Sequence, residues 1–271
     1  MSKKSKPAKQ KKANFSRVQR VDNWIAVASQ QIYTKDYVGA IETCQRLLGY
    51  LPQKSLQRAE VLDYLGVAQS MLQNFPESYE AHTEAISINP RDAQFWYNRG
   101  MASRYTMRIG QSLRDFERAA ELNTNPQLTK TFADVIKESR RLAEMALKKR
   151  GPDFTLDQLI EQEGYYQRGL KFMQTNNWEE AEQAFRLSIE MRDCMPQPWG
   201  NMGICLMMQE RYDEAEAALK RALEIDPKYA IAKRNLKILP ETRRTGPPKM
   251  IGISDPMRSP KLKQGITFVQ E

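Results

Sequence analysis

The chain has 271 residues, of which 41% are hydrophobic and 28% charged, so it is long enough for one or two domains with a substantial core. It has no apolar run approaching the roughly 20 residues of a membrane helix, so a soluble protein is expected. Three cysteines cannot all pair, and the basic N-terminus leads into no apolar segment, which favours a cytoplasmic protein. A single histidine argues against histidine-based catalysis and favours a protein that is not an enzyme.

Residues 1–20 form a strongly basic segment that contains Lys and Arg but no acidic side chain. The formal net charge of +9 resides in the two ends of the chain, because residues 21–240 are close to neutral. A block of like charge is typical of a disordered tail, which solvates a protein or binds the phosphates of a nucleic acid or an anionic surface. The sequence therefore predicts a disordered basic tail at 1–20 and leaves nucleic-acid binding through it open.

A repeat with a fixed spacing follows the basic tail. The separation between Gly66 and Gly100 equals that between Gly169 and Gly203. Residues of similar type also recur at the same positions relative to each glycine. A leucine or aromatic residue precedes each glycine, and a small and then a large residue follow it. The repeat predicts five copies, at residues 21–54, 59–92, 93–126, 162–195 and 196–229. The signature positions are Trp24, Gly66, Trp96, Gly100, Tyr165, Gly169, Trp199, Gly203 and Pro227.

Each copy is predicted to form two amphipathic helices in a hairpin, because apolar residues recur at helical spacing on either side of a short polar turn. Glycine inside a helix costs about 1 kcal/mol relative to alanine, so its repetition indicates close contact between helices. One hairpin cannot bury both of its faces, so neighbouring hairpins are expected to stack into a solenoid. His82 takes the place of Phe116 and Phe185 in other copies and is therefore predicted to be a core side chain.

The openings WYNRG, GYYQRG and WGNMG and the second helices EEAEQAF and DEAEAAL resemble tetratricopeptide repeats. This resemblance covers residues 21–229. It implies an all-α, right-handed superhelical solenoid of antiparallel helix pairs with a non-catalytic, protein-binding role. One subset of the family clamps the C-terminal carboxylate of chaperones with Lys, Arg and Asn side chains. Of the matching positions in the second half only Asn201 fits, so chaperone-tail binding is disfavoured.

The resemblance implies a concave surface lined by the first helix of each copy. Helical spacing places Glu163 and Gln197 on this surface, and its floor becomes apolar toward the C-terminal copies. Methionine and tyrosine provide adaptable contact surfaces, so a peptide or helix of a partner protein is expected to bind there. Packing between helices is an equally good interpretation of any single one of these side chains. The predicted groove consists of Tyr97, Met101, Arg104, Tyr166, Leu170, Met173, Asn201, Ile204 and Met207.

The stretch between the third and fourth copies lacks the signature. It predicts one long amphipathic helix at 127–149 that caps a first array at 21–150, although a degenerate repeat or a linker also fits. The basic residues and glycine at 148–151 are typical of a helix end, so the boundary is placed near Gly151. Thr155 and Gln158 predict a capping box that opens a second array at 151–239. A further helix at 229–239 is expected to cover its last hydrophobic face.

Residues 240–271 scatter prolines among charges and are predicted to form a disordered tail, in which GITFVQE is a candidate strand for a partner or for the groove. The sequence holds no phosphate loop, dinucleotide fingerprint or nucleophile triad, so no catalytic residue, metal or cofactor is expected. The leading hypothesis is a cytoplasmic protein–protein interaction scaffold. A nucleic-acid- or ribosome-associated factor tethered by residues 1–20, and a regulatory subunit of an enzyme complex, are the alternatives.

Overall fold

The computed structural model describes the backbone of residues 7–247 and the side chains of residues 19–247. These residues form helices and connecting turns, without a strand, which confirms the predicted all-α class. None of the described helices is both long and apolar enough to cross a membrane. The helices are α1 (Pro7–Tyr33), α2 (Tyr37–Leu48), α3 (Leu56–Met71), α4 (Phe75–Ile88), α5 (Ala93–Tyr105), α6 (Ile109–Leu122), α7 (Thr129–Arg150), α8 (Leu156–Gln174), α9 (Trp178–Met191), α10 (Pro196–Met208), α11 (Tyr212–Ile225) and α12 (Ala230–Thr245), with a 3₁₀ turn at Pro126–Leu128.

The chain divides into two compact bodies. The first comprises the described residues up to Thr106 together with Arg114–Val135, and the second comprises Met107–Leu113 together with the described residues from Ile136 onward. Helices α6 and α7 therefore each contribute residues to both bodies. Gly151, near which the sequence predicts the boundary between two arrays, lies within the second body.

Five helix pairs overlap the five predicted copies, three before α7 and two after it, and a short turn joins the two helices of each pair. Every one of these turns holds a non-glycine residue with a φ between 58° and 64°. This left-handed conformation is uncommon outside glycine, so its recurrence at the same place shows that the five turns are equivalent. The five residues are Lys35, Gln73, Met107, Asn176 and Glu210.

Close contact between the two helices of a pair explains the repeated glycines. A Cβ atom built on Gly66 would lie 2.5 Å from the ring of His82, and one on Gly169 would lie 2.5 Å from the ring of Phe185. Gly100 faces Phe116 and Gly203 faces Leu219 in the same way, at 2.8 and 2.7 Å. Only glycine allows this approach, which buries the facing side chain almost completely.

Tryptophan side chains tie two of the copies to the segment that precedes them. The indole N–H of Trp96 donates to the carbonyl oxygen of Pro90 over 2.9 Å, and that of Trp199 donates to Oδ1 of Asp193 over 2.6 Å. Both acceptors lie six residues upstream of the tryptophan. Trp96 and Trp199 therefore combine a large apolar contact with a hydrogen bond that holds the start of their own helix pair against the preceding segment.

Both ends of the described chain are more helical than the sequence predicts. Helix α1 begins at Pro7, within the predicted basic tail, because the Ala, Lys and Gln residues there have high helix propensity. Helix α12 continues past Pro240 to Thr245, since Leu239 and Thr242 are buried and Arg243 bonds Asp213 of α11. The rest of the predicted tails, including GITFVQE, lies outside the described residues.

The glycine contacts predict opposite effects for two glycines of α8. Replacing Gly169 with alanine forces a Cβ into the Phe185 ring and is expected to lower the free energy of unfolding by about 1–3 kcal/mol. Gly164 is exposed and has no atom within 4 Å of a built Cβ, so Gly164→Ala is expected to raise that free energy by up to about 1 kcal/mol. Urea denaturation of both variants tests this, and equal effects at the two positions would contradict the contact.

Candidate partner-binding site

In the first body, two of the predicted groove residues already contact α7. The ring of Tyr97 packs edge-on against Phe132 with centroids 5.5 Å apart. The Arg104 guanidinium donates to the carbonyl oxygen of Val135 over 3.3 Å. Met101, between them, is partly buried. Much of this part of the predicted groove is therefore occupied by a helix of the same chain.

In the second body, most of the predicted groove residues belong to the core. Met173, Ile204 and Met207 are buried in one hydrophobic cluster, and Leu170 packs against that cluster. Asn201 is also buried and donates to the hydroxyl oxygen of Tyr166 over 3.2 Å. Of the predicted groove residues in this body, Tyr166 is the one that lines the cavity described next.

That cavity, which we call the Gln197 cavity, has a volume of about 260 Å³ and lies entirely within the second body. The start of α6, the end of α7, α8, α9 and the start of α10 all contribute to its wall. Glu163 and Gln197 line it, as the sequence predicts for one surface of the first helices. Three methionines supply much of its apolar wall: Met107, Met145 and Met195.

Glu163 is a buried carboxylate that holds the start of α6. Its Oε2 accepts the backbone N–H of Gly110 over 3.0 Å, and the N–H of Ile109 also stabilises it. The first N–H groups of any helix have no partner inside that helix. The carboxylate of Glu163 supplies a partner for two of them and therefore caps α6. Burial nevertheless raises the pKa of Glu163 to about 7, and the nearby Arg150 and Arg108 oppose that rise.

A hydrogen-bond network fixes the wall on the other side of Glu163. The Arg150 guanidinium donates to Oε1 of Gln162 and to the carbonyl oxygen of Ala146. The Gln162 amide in turn donates to the carbonyl oxygens of Ser188 and Arg192, over 2.8 and 2.9 Å. These groups are buried and satisfied, so the cavity has a rigid polar rim before any partner binds.

One polar atom of the cavity stands apart from this network. Oε1 of Gln197 is buried and has no hydrogen-bond partner among the described residues. Most buried polar atoms in proteins have a partner, so an acceptor without one next to a cavity calls for an explanation. A donor group on a bound molecule would satisfy it.

The histidine and two of the three cysteines occupy packing positions. His82 is buried against Gly66, and its Nδ1 lies 3.0 Å from Oδ1 of Asp63. Cys44 and Cys205 are buried, which raises the pKa of both thiols and makes them poor nucleophiles. Among the described residues, no group of three His, Cys, Asp or Glu side chains is placed to hold a metal ion.

The helix pair α10–α11 defines the class of protein. Residues 196–229 match the family model of the tetratricopeptide repeat. The other helix pairs repeat the left-handed turn of this pair, and three of them repeat its glycine contact. Residues 196–229 are therefore a tetratricopeptide repeat, as the WGNMG and DEAEAAL motifs of this pair indicate. No protein with a curated description matches the chain.

Several solved structures are similar to this chain. The MamA protein is 18% identical, over 78% of this chain and 93% of that chain, with a TM-score of 0.36. The tetratricopeptide repeat domain of P58(IPK) is 12% identical, over 83% and 66%, with a TM-score of 0.45. YrrB, also a tetratricopeptide repeat protein, is 16% identical, over 79% and 90%, with a TM-score of 0.36.

Sequence reasoning missed several side chains of the Gln197 cavity. Met107 lies in a turn, and Met145 and Arg150 lie at the end of α7, where the repeat signature is absent. The left-handed φ of Met107 leaves no mark in the sequence, because glycine or asparagine is the usual residue there. The one signal in the sequence is the basic end of α7 at 148–150, which is also typical of a helix C-terminus.

The raised pKa of Glu163 predicts a pH-dependent stability. The folded state holds a proton on Glu163 more tightly than the unfolded state, whose ordinary value is 4.5, so this group's contribution to stability is present below pH 4.5 and is lost as the pH rises to about 7. Glu163→Gln keeps an acceptor for Gly110 without the buried charge. Its free energy of unfolding, relative to the wild type, is therefore expected to be higher at pH 8 than at pH 5.

Urea denaturation at pH 5 and pH 8 measures this difference. Glu161→Gln is the matched control, because Glu161 is exposed on the same helix, and it is expected to shift little between the two pH values. The assignment is wrong if the two glutamine variants respond to pH alike.

Proposed function

We propose that this chain is a non-catalytic scaffold that binds a segment of a partner protein at the Gln197 cavity. The observation that carries the proposal is a cavity of about 260 Å³ whose wall includes residues of the first helices α8 and α10. Stacked helix-pair repeats present extended surfaces of this kind to partner proteins. The match of residues 196–229 to the tetratricopeptide repeat supports the same role.

The location of the site differs from the nine-residue groove that the sequence suggests. A buried side chain offers little surface to a partner, so Met173, Ile204 and Met207 are assigned to packing, and Tyr166 to the wall of the site. The network around Gln162 and Arg150 holds the remaining wall in place. Binding to a preformed wall costs less conformational entropy than binding to a mobile one.

A variant that fills the cavity tests the proposal. Ala146 lines the cavity, and Ala146→Phe is expected to occupy it and to lower the affinity for a bound peptide more than about tenfold. The peptides come from a random display library selected on the full chain, and affinity is measured by fluorescence anisotropy. The matched control is Ala217→Phe, at an exposed position of α11 in the same body, which is expected to leave affinity unchanged.

Two results would contradict the proposed site. The library would yield no peptide that binds the full chain, or the selected peptides would bind Ala146→Phe as tightly as Ala217→Phe. Circular dichroism of both variants confirms that they remain folded.

A second candidate function rests on the first body. A separate cavity of about 510 Å³ is lined by Arg20 and Arg46 together with Trp24 and Tyr50. Cationic side chains beside exposed aromatic rings suit a single-stranded nucleic acid, whose phosphates pair with the cations and whose bases stack on the rings. This arrangement supports the hypothesis of nucleic-acid binding through residues 1–20.

The nucleic-acid hypothesis predicts a salt-sensitive, aromatic-dependent affinity for an oligouridine probe. The dissociation constant is expected to rise more than about tenfold between about 50 and 200 mM salt. Tyr50→Ala is expected to raise it about tenfold further, through the loss of one stacked base. Tyr33→Ala removes an exposed ring that does not line the cavity and is the control. Equal affinities of the two variants, or an affinity independent of salt, reject this function.

A further inference from the structure

We propose that the Gln197 cavity accepts a single tryptophan side chain from an acidic segment of the partner protein. This inference rests on the proposed function, because it specifies the chemistry of the segment that the scaffold binds. It follows from the size of the cavity, from its one unpaired acceptor and from the charges beside it.

The size and lining of the cavity suit one large aromatic side chain. Its volume of about 260 Å³ lies below the range of about 300–1,000 Å³ that is usual for pockets holding drug-sized molecules. Met107, Met145 and Met195 line it from three different segments of the chain, and Tyr166 adds an aromatic ring. Thioether sulfurs make favourable contacts with aromatic rings, and flexible methionines adapt to the shape of the ring that enters.

The polar atoms of the cavity favour a partner side chain that donates a single hydrogen bond. Glu163 is already engaged by the backbone at Gly110, and the Gln162 amide by two carbonyl oxygens. Of the side chains that line the cavity, Gln197 has a buried acceptor, Oε1, that has no hydrogen-bond partner among the described residues. An indole has one N–H donor and no acceptor, so a tryptophan would satisfy Gln197 and bring no unpaired polar atom of its own.

Other large side chains fit this combination less well. Phenylalanine has no donor, and it would leave Oε1 of Gln197 buried and unpaired. The hydroxyl oxygen of tyrosine is also an acceptor and would itself need a donor in the cavity. Lysine and arginine would bring a positive charge next to Lys149 and Arg150, which repel it.

The charges around the cavity indicate what flanks the tryptophan. Helix α7 ends in three consecutive basic residues, Lys148, Lys149 and Arg150, of which the two lysines are exposed. Lys149 and Arg150 line the cavity itself. Aspartate or glutamate on either side of the tryptophan would therefore meet complementary charge as the ring enters.

Two synthetic peptides test the hydrogen bond in the unmodified full chain. One has the sequence Asp-Glu-Trp-Glu-Asp with blocked ends, and in the other the tryptophan is 1-methyltryptophan, which keeps the ring but lacks the N–H. The first peptide is expected to bind about tenfold more tightly than the second, measured by isothermal titration calorimetry. Equal affinities overturn the proposed hydrogen bond without requiring any protein variant.

A substitution at Gln197 locates the bond. Gln197→Met removes the acceptor at nearly constant size, so it is expected to abolish the preference for tryptophan over 1-methyltryptophan. Gln183→Met, at an exposed position of α9, is the matched control and is expected to retain the preference. A preference that survives in Gln197→Met places the N–H elsewhere and overturns the assignment.

The charge requirement has its own test. Replacing the four acidic residues of the peptide with serine is expected to weaken binding about tenfold and to reduce its dependence on salt. Unchanged affinity of the serine peptide overturns the acidic part of the inference.

The outcomes separate this inference from the proposed function. If library peptides lose affinity for Ala146→Phe but contain no tryptophan, the scaffold function stands and the tryptophan assignment is overturned. If the library yields no binder and the tryptophan peptide does not bind either, both the scaffold function and the tryptophan assignment are overturned. Library peptides enriched in tryptophan between acidic residues support both.

Discussion

The architecture depends on the close approach of two helices at a glycine. In four helix pairs a built Cβ would clash with the side chain that faces the glycine from the second helix. Because the glycine leaves room, that side chain becomes fully buried, and the helices of a pair pack with little freedom to slide. The wall of the Gln197 cavity belongs to such pairs, and Tyr166 packs against Phe185, the ring that faces Gly169.

The cavity also requires the start of α6 and the end of α7, which meet the α8–α9 and α10–α11 pairs. The start of α6 is held by the carboxylate of Glu163, and the end of α7 is held by the bonds of Arg150 to Gln162 and Ala146. Each of these contacts uses a buried polar group to position a segment of the cavity wall. Three features of the site remain available to a partner: the apolar cavity, the hydrogen-bond acceptor of Gln197 and the basic residues at the end of α7.

The repeat made most of the fold predictable from the sequence, whereas the site depends on contacts that no local pattern encodes. The recurrence of Gly66, Gly100, Gly169 and Gly203 fixed the helix pairs, and Thr155 with Gln158 forms the predicted capping box. The bond between Glu163 and Gly110 joins residues that are 53 apart in sequence, and Met107 enters the cavity from a turn. Helix α12 passes Pro240 because burial outweighs the missing N–H, a balance that a local pattern does not reveal.

The most direct test of this account is a crystal structure of the full chain with its tightest-binding peptide. The account predicts an indole ring between Met107, Met145 and Met195, with its nitrogen within hydrogen-bonding distance of Oε1 of Gln197. A peptide seated on another surface, with Gln197 still unpaired beside an empty cavity, would contradict it.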